Sequence, residues 1–281
     1  MAPIQEKKIR SLIGKQQGLP TSDGAGVQLT RHIATPNLSV FDPFLLLDVF
    51  QSDDPEAYIA GFPDHPHRGF ETVTYLIEGK MRHKDSHGNE GVLESGSVQW
   101  MTAGRGIIHS EMPEQEDGLL RGIQLWVNLP SRLKMTDPSY QDIAAEKFPI
   151  IDENQATVKL LSGKYMGTEG PATTQVPVNY LDVTLQKDAK FFHETEHDWN
   201  YFLVVLDGQL QIDVDTINSG FSVFFDKGDA IQLIGTGLLN RFLLIGGLPI
   251  GEPIARSGPF VMNTKEEIMQ AYTDYQTGNF G

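Results

Sequence analysis

The chain has no cysteine among its 281 residues. A disulfide framework and thiolate metal ligation are therefore excluded. It also lacks any apolar run near the roughly 20 residues that a membrane-spanning helix needs. Its first residues, Met-Ala-Pro-Ile-Gln-Glu-Lys-Lys, carry no apolar signal core. A cytoplasmic protein is the expectation, and a nuclear location stays open. Positive charge is scarce: 22 Lys and Arg stand against 37 Asp and Glu, a formal charge of −15. Such a surface repels phosphate backbones, so direct nucleic-acid binding is not expected. The most basic stretches, Lys7-Lys8-Ile9-Arg10 and Arg82-His83-Lys84, are short and read as solvated.

What is present is globular: 40% hydrophobic and 21% charged residues, in a chain long enough for one large or two ordinary domains. Alternation with period two dominates. Val73, Tyr75 and Ile77 alternate with Thr72 and Thr74, and Ile123, Leu125, Val127 and Leu129 with Gln124 and Asn128. The same pattern recurs at Leu181, Val183 and Leu185, and at Leu210, Ile212 and Val214. These segments read as half-buried strands. Glycine-bearing turns separate them, as at Glu78-Gly79-Lys80, Ser95-Gly96-Ser97 and Asp207-Gly208-Gln209. Many short strands with regular turns point to a sandwich or barrel of the jelly-roll kind. One helix is expected, over about 264–275, where Thr264-Lys265-Glu266-Glu267 reads as a capping box. Residues 130–157 read as the connection between halves, with a short helical turn around Tyr140 to Glu146.

The halves look related. Tyr75-Leu76-Ile77-Glu78-Gly79 resembles Val204-Val205-Leu206-Asp207-Gly208, and Glu94-Ser95-Gly96-Ser97 resembles Asp226-Lys227-Gly228-Asp229. Alignment on Gly79 and Gly208 sets His65 against Glu194 and His67 against Glu196. Alignment on Gly96 and Gly228 sets His109 against Arg241 and Glu111 against Leu243. The expectation is a tandem repeat with one intact site and one that has lost its ligands.

That intact site is carried by two tight pairs, His65-Pro66-His67 and His109-Ser110-Glu111. Residues i and i+2 of a strand share a face. If the two strands are neighbours, three imidazoles and one carboxylate converge. Such donors suit iron, manganese, nickel, copper or zinc, not an oxygen-only magnesium or calcium cage. The plainer reading is surface or hydrogen-bonded histidines. His83 and His87 read as solvated loop, and His32, His193 and His197 as structural or surface residues. Gly104-Arg105-Gly106 reads as a turn, with an anion cradle the weaker alternative. Phe62, Phe70, Trp100 and Met101 read as core before they read as pocket lining.

The segments H-P-H-R-G-F-E-T-V-T-Y-L-I-E-G (65–79) and Q-W-M-T-A-G-R-G-I-I-H-S-E-M-P (99–113) resemble the signature of the pirin family, within the cupin superfamily. They depart from the generic cupin motifs: Gly61 lies closer to His65 than that pattern asks, and Thr102 replaces a proline. The resemblance covers essentially the whole chain. It implies an all-β bicupin: two tandem antiparallel jelly-roll barrels with a short C-terminal helix. Residues 1–140 would form the metal-binding barrel. Residues 141–281 would form a second barrel without metal ligands, closed by the helix. It implies one divalent transition metal, Fe2+ by family habit, with Mn, Co, Ni, Cu or Zn as alternatives, on His65, His67, His109 and Glu111. Generic cupins would use Glu71 instead, and Glu111 ranks above it because the pirin motif carries H-x-E.

Two functions follow from the resemblance. One is a quercetin 2,3-dioxygenase that opens a flavonol with dioxygen and releases carbon monoxide, with Glu111 as the base. The other is a non-catalytic, iron- and redox-responsive regulator of a transcription factor or metabolic enzyme. There Arg68 would report metal oxidation state to a partner surface, although a surface ion pair is its plainer role. Substrate-contacting residues are not identified at this level. The expected state is a monomer.

Overall fold

The computed structural model describes residues 7–281 and is built almost entirely of antiparallel strands. It divides into two compact units that do not follow chain order. Residues 19–147 and 250–281 form one, and residues 7–18 and 148–249 the other. The first is here called the N-terminal barrel and the second the C-terminal barrel.

Each barrel has a seven-stranded and a four-stranded sheet. In the N-terminal barrel the large sheet runs Ser139–Ile143, Val98–Thr102, Phe70–Glu78, Leu120–Asn128, Phe44–Ser52, Val27–Ile33, Leu19–Asp23. Its small sheet runs Phe62–His67, Ile107–Pro113, Lys80–Asp85, Glu90–Glu94. In the C-terminal barrel the small sheet runs Lys190–Glu194, Ala230–Gly235, Gln209–Ile212, Asp215–Asn218. The large sheet there starts with Leu12–Gln17 on Phe221–Phe225, then Asn200–Asp207, Leu239–Gly247 and Val178–Gln186.

The strand alternation is real, but its meaning differs from the sequence reading. Val73 and Tyr75 are buried, yet so are Thr72 and Thr74, each 1% exposed. Ile123, Leu125 and Val127 are sealed in the core, while Gln124 and Trp126 on the other parity line an internal cavity. These strands are buried on both faces. Their polar face turns to the barrel interior, where polar side chains have work to do.

The expected boundary at 140/141 does not describe the units. Leu12–Gln17 adds to the edge of the Phe221–Phe225 strand in the C-terminal barrel. The helix Lys265–Thr277 packs Ile268 and Ala271 on Phe260 and Met262 in the N-terminal barrel. The helix itself forms as the sequence indicates, with the Thr264–Glu267 capping box in place. The segment read as a helical turn near Tyr140 is instead the strand Ser139–Ile143, paired to Val98–Thr102, followed by a short 3-10 turn at Ala145–Lys147. Val214 does not continue its strand. The chain turns at Asp213, and Val214 is 94% exposed.

The repeat is real at the level of topology, but the glycine alignment slips by one strand. Matching the sheet orders places Ala230–Gly235 on Ile107–Pro113, so His109 corresponds to that strand and not to Arg241. Gly96 matches Gly220, which precedes Phe221–Phe225.

Arg10 was read as solvated and is only 2% exposed. Its guanidinium donates to Thr195 Oγ1 and to the carbonyls of Trp199, Asp226, Glu196 and His197. It also lies 4.7 Å over the Tyr201 ring.

Burial holds His32 at a pKa of about 4, against 6.5 for a free imidazole. Between these values the unfolded chain binds more protons than the folded one, so stability falls as pH drops from 6.5 toward 4. His32→Gln should flatten that acid limb by up to about 3 kcal/mol, read from urea melts at pH 7 and pH 4.5. An unchanged slope would show that His32 does not titrate in this way.

Candidate metal centre

The strands Phe62–His67 and Ile107–Pro113 are direct neighbours, and His109 faces His65 across the ladder. The i, i+2 geometry turns His65, His67 and His109 to one interior point. Their donor atoms all lie within 4.8 Å of one another. His67 and His109 are sealed from solvent, and His65 is half-buried.

The tautomers are partly fixed. His65 Nδ1 lies 2.8 Å from the Pro63 carbonyl, and only a protonated Nδ1 can satisfy it. That leaves His65 Nε2 with a bare lone pair, 3.0 Å from His67 Nε2. Both ring nitrogens of His109, and His67 Nδ1, are buried without a hydrogen-bond partner. Burial pushes the pKa of His67 and His109 well below the usual value, and neighbouring imidazoles push it further. Three converging imidazoles, with buried unpaired nitrogens on His67 and His109, form a donor set that fits a first-row divalent cation.

Glu111 occupies the same cavity but stands outside this cluster. The ladder slips by one residue after His109, so Glu111 faces Phe62 where an even register would give Pro63. Its Oε1 is 2.7 Å from the Thr74 hydroxyl, which also lies 2.6 Å from Gln124. Glu71, the generic alternative, accepts from the Thr102 hydroxyl at 2.7 Å and does not line the cavity.

The cavity has a volume of about 590 Å³. Phe50, Phe62, Leu46 and Trp126 line it together with the charged Arg31, Asp48 and Arg256. Arg256 stacks 4.8 Å over Trp126 and donates to the Leu45 carbonyl. Of the four residues weighed as pocket lining, only Phe62 lines it. Trp100, Met101 and Phe70 are core.

Two charged residues brace the chain just after the His65 and His67 strand. Lys134, 1% exposed, donates to Gly69 O at 2.8 Å, Asn128 Oδ1 at 2.7 Å and Val261 O at 3.0 Å. Arg68 is 3% exposed, so it is no surface residue. It pairs with Asp274 at 2.6 Å, donates to the Arg105 carbonyl and lies 4.6 Å over the Phe280 ring.

His83 was read as solvated loop and is only 3% exposed. It sits on the strand Lys80–Asp85 opposite Glu111, against the Tyr140 ring and 3.2 Å from Asp142. Met81, His83 and Asp85 share one buried parity, a signal available in the sequence. His87 is exposed in a turn, as read. The residues 104–106 form a turn. Gly104 has φ 51°, and any Cβ there would strike the Thr136 carbonyl.

Two jelly-roll barrels, one of them holding a converging trio of imidazoles, define a bicupin. Comparison with known proteins narrows this. The Pirin family model matches residues 26–127, and the model of the pirin C-terminal cupin domain matches residues 180–281. A pirin-like protein of Caulobacter vibrioides is 48% identical over 275 residues, covering 97% of this chain and 99% of its own. A pirin-like protein of Solanum lycopersicum is 42% identical, covering 97% and 93%. The crystal structure of a quercetin 2,3-dioxygenase from Acinetobacter baumannii superposes with a TM-score of 0.91 at 35% identity, covering 98% and 99%. The chain belongs to the pirin family.

Proposed function

We propose that the N-terminal barrel is the metal centre of an oxygenase acting on flavonols such as quercetin, with dioxygen as co-substrate and carbon monoxide as a product. The observation that carries this reading is the imidazole trio, of which His65 and His67 line a cavity of about 590 Å³ beside Phe50, Phe62 and Trp126, a size suited to a planar polyphenol. The likeness to the Acinetobacter baumannii dioxygenase supports it. His65, His67 and His109 would hold one divalent metal, iron by preference, and Glu111 would be its fourth ligand or its neighbouring base. When bound, the metal would supply Lewis acidity that lowers the pKa of a coordinated hydroxyl.

The remaining work falls to the chain. Phe50, Phe62 and Trp126 flank the planar rings and exclude water. Thr74 holds Glu111 by a hydrogen bond, so that its carboxylate is positioned to take the proton of the flavonol hydroxyl. Pro63 fixes His65 in the tautomer that ligates. The regulatory reading loses its proposed reporter, because Arg68 is buried under the closing helix and Phe280 and presents no surface to a partner.

Glu111→Gln should keep much of the metal and lose about 10²- to 10⁴-fold in kcat for quercetin, followed as loss of flavonol absorbance under oxygen. A metal-loaded variant with unchanged kcat would remove Glu111 from the proton-transfer role. Iron-loaded wild-type protein that turns over none of a panel of flavonols would overturn the oxygenase reading itself.

A further inference from the structure

Two arginines line the cavity beside the histidines, and their circumstances differ. Arg31 is neutralised from within the chain. Its Nε and Nη2 donate side-on to the two oxygens of Asp48 at 2.8 and 2.6 Å, and Nη2 also reaches Asp23 at 2.8 Å. Asp48 is 3% exposed, so this cluster is a fixed part of the wall. Arg256 has no such partner. Its Nη1 donates to the Leu45 carbonyl at 3.0 Å, and its guanidinium carbon lies 4.8 Å over the Trp126 ring. These two contacts fix the plane of the group. They leave free the Nε–Nη2 edge, the same edge that Arg31 presents to Asp48. Among the described residues no carboxylate lies within ion-pair distance of Arg256.

The short strand Ala255–Ser257 exposes Arg256 between two half-buried neighbours. Because the residue also lines the cavity, it stands at the mouth. A guanidinium held flat on an indole is preorganised for a planar anion. Its fork matches the two oxygens of a carboxylate, and a side chain already fixed loses little freedom on binding. The chain as a whole carries a charge of −15, so a cation without a carboxylate partner at this mouth is a local exception. Trp126 ties the group to the histidines. The indole that carries Arg256 over its ring also meets the His67 ring edge-on, with centroids 5.1 Å apart. A planar molecule with one oxygen at the imidazole trio therefore has Arg256 within reach of its next ring.

We propose that Arg256 is the specificity-determining residue of this cavity, and that it selects hydroxylated aromatic substrates carrying a carboxylate on the ring remote from the metal-binding hydroxyl. The inference rests on the proposed oxygenase reading for the placement of that hydroxyl, and it narrows the substrate class. Quercetin, which has no carboxylate, would leave the Nε–Nη2 edge to water. An acidic relative would replace that water with a two-point, charge-assisted contact.

The test compares 3-hydroxyflavone-4′-carboxylate with its methyl ester, which has nearly the same shape and no charge. Both are titrated by equilibrium dialysis against the zinc-loaded full chain. Zinc has no redox chemistry, so binding is read without turnover. The carboxylate should bind about tenfold tighter than the ester. Arg256→Met should bring the carboxylate down to the affinity of the ester, and Arg256→Lys, which keeps the charge but loses the fork, should fall between. Raising the salt from about 0.05 M to about 0.5 M should shrink the preference in the wild-type protein, a result that needs no variant to fold. Equal affinity of acid and ester, a preference indifferent to salt, or no saturable binding of either up to about 1 mM overturns the proposal. So does an equal loss for both ligands in Arg256→Met, which would make the residue a brace for Trp126 and nothing more. The two readings fail separately. Iron-loaded protein that turns over no flavonol while the zinc form keeps the acid preference sinks only the oxygenase, and turnover without that preference sinks only the role of Arg256.

Discussion

His109→Ala is expected to lose its metal and its turnover together. The side chain supplies one corner of the trio: its ring centroid lies 4.4 Å from that of His65 and 5.1 Å from that of His67. Alanine removes one of three imidazoles and leaves the other two without the geometry to hold a cation. Residues that merely support ligands are worth about 10- to 100-fold in affinity or activity, so a lost ligand should exceed about 100-fold. Elemental analysis and oxygen uptake with quercetin on the same sample decide the matter. The fold should survive, because the ladder around His109 is made by backbone groups. Full metal content with undiminished oxygen uptake would eliminate the proposed centre.

Arg10→Met should be the most damaging change away from the site, with a stability loss of about 3–5 kcal/mol. Methionine replaces most of the stem but abandons four carbonyls and the Thr195 hydroxyl that the guanidinium now satisfies. Hydrogen bonds to charged groups are worth about 1.5–3 kcal/mol each, though they do not add fully. The midpoint of thermal unfolding should fall by about 10 °C or more. A shift of under about 2 °C would mean that water replaces the guanidinium at little cost.

The histidine trio was legible because a strand repeats every two residues, so H-x-H and H-x-E each declare a shared face. What the sequence could not show was the register between the two strands. The pairing of His109 with His65 keeps the imidazoles together, and the slip after His109 sets Glu111 apart. Strand existence and the capped helix were equally readable, since Thr264 and Glu267 act within one turn. Burial of Thr72, Thr74 and Arg10 was not, because a polar side chain reads the same in sequence whether it faces solvent or the interior. Trp126 offered a signal: a large aromatic at the parity otherwise occupied by Gln124 and Asn128 marks that face as interior. The repeat misled locally, because glycine turns recur before several strands and Gly96 has more than one plausible match.

Neither half of this polypeptide is topologically finished by its own stretch of sequence. The helix and strands after residue 250 close the barrel begun at residue 19, while residues 7–18 belong to the barrel built from 148 onward. During synthesis, the histidine-bearing barrel must therefore wait until residues 250–281 leave the ribosome before Val261 can engage Lys134 and Asp274 can engage Arg68. A single proteolytic cut between the two units would separate the chain into pieces that each carry part of the other's architecture.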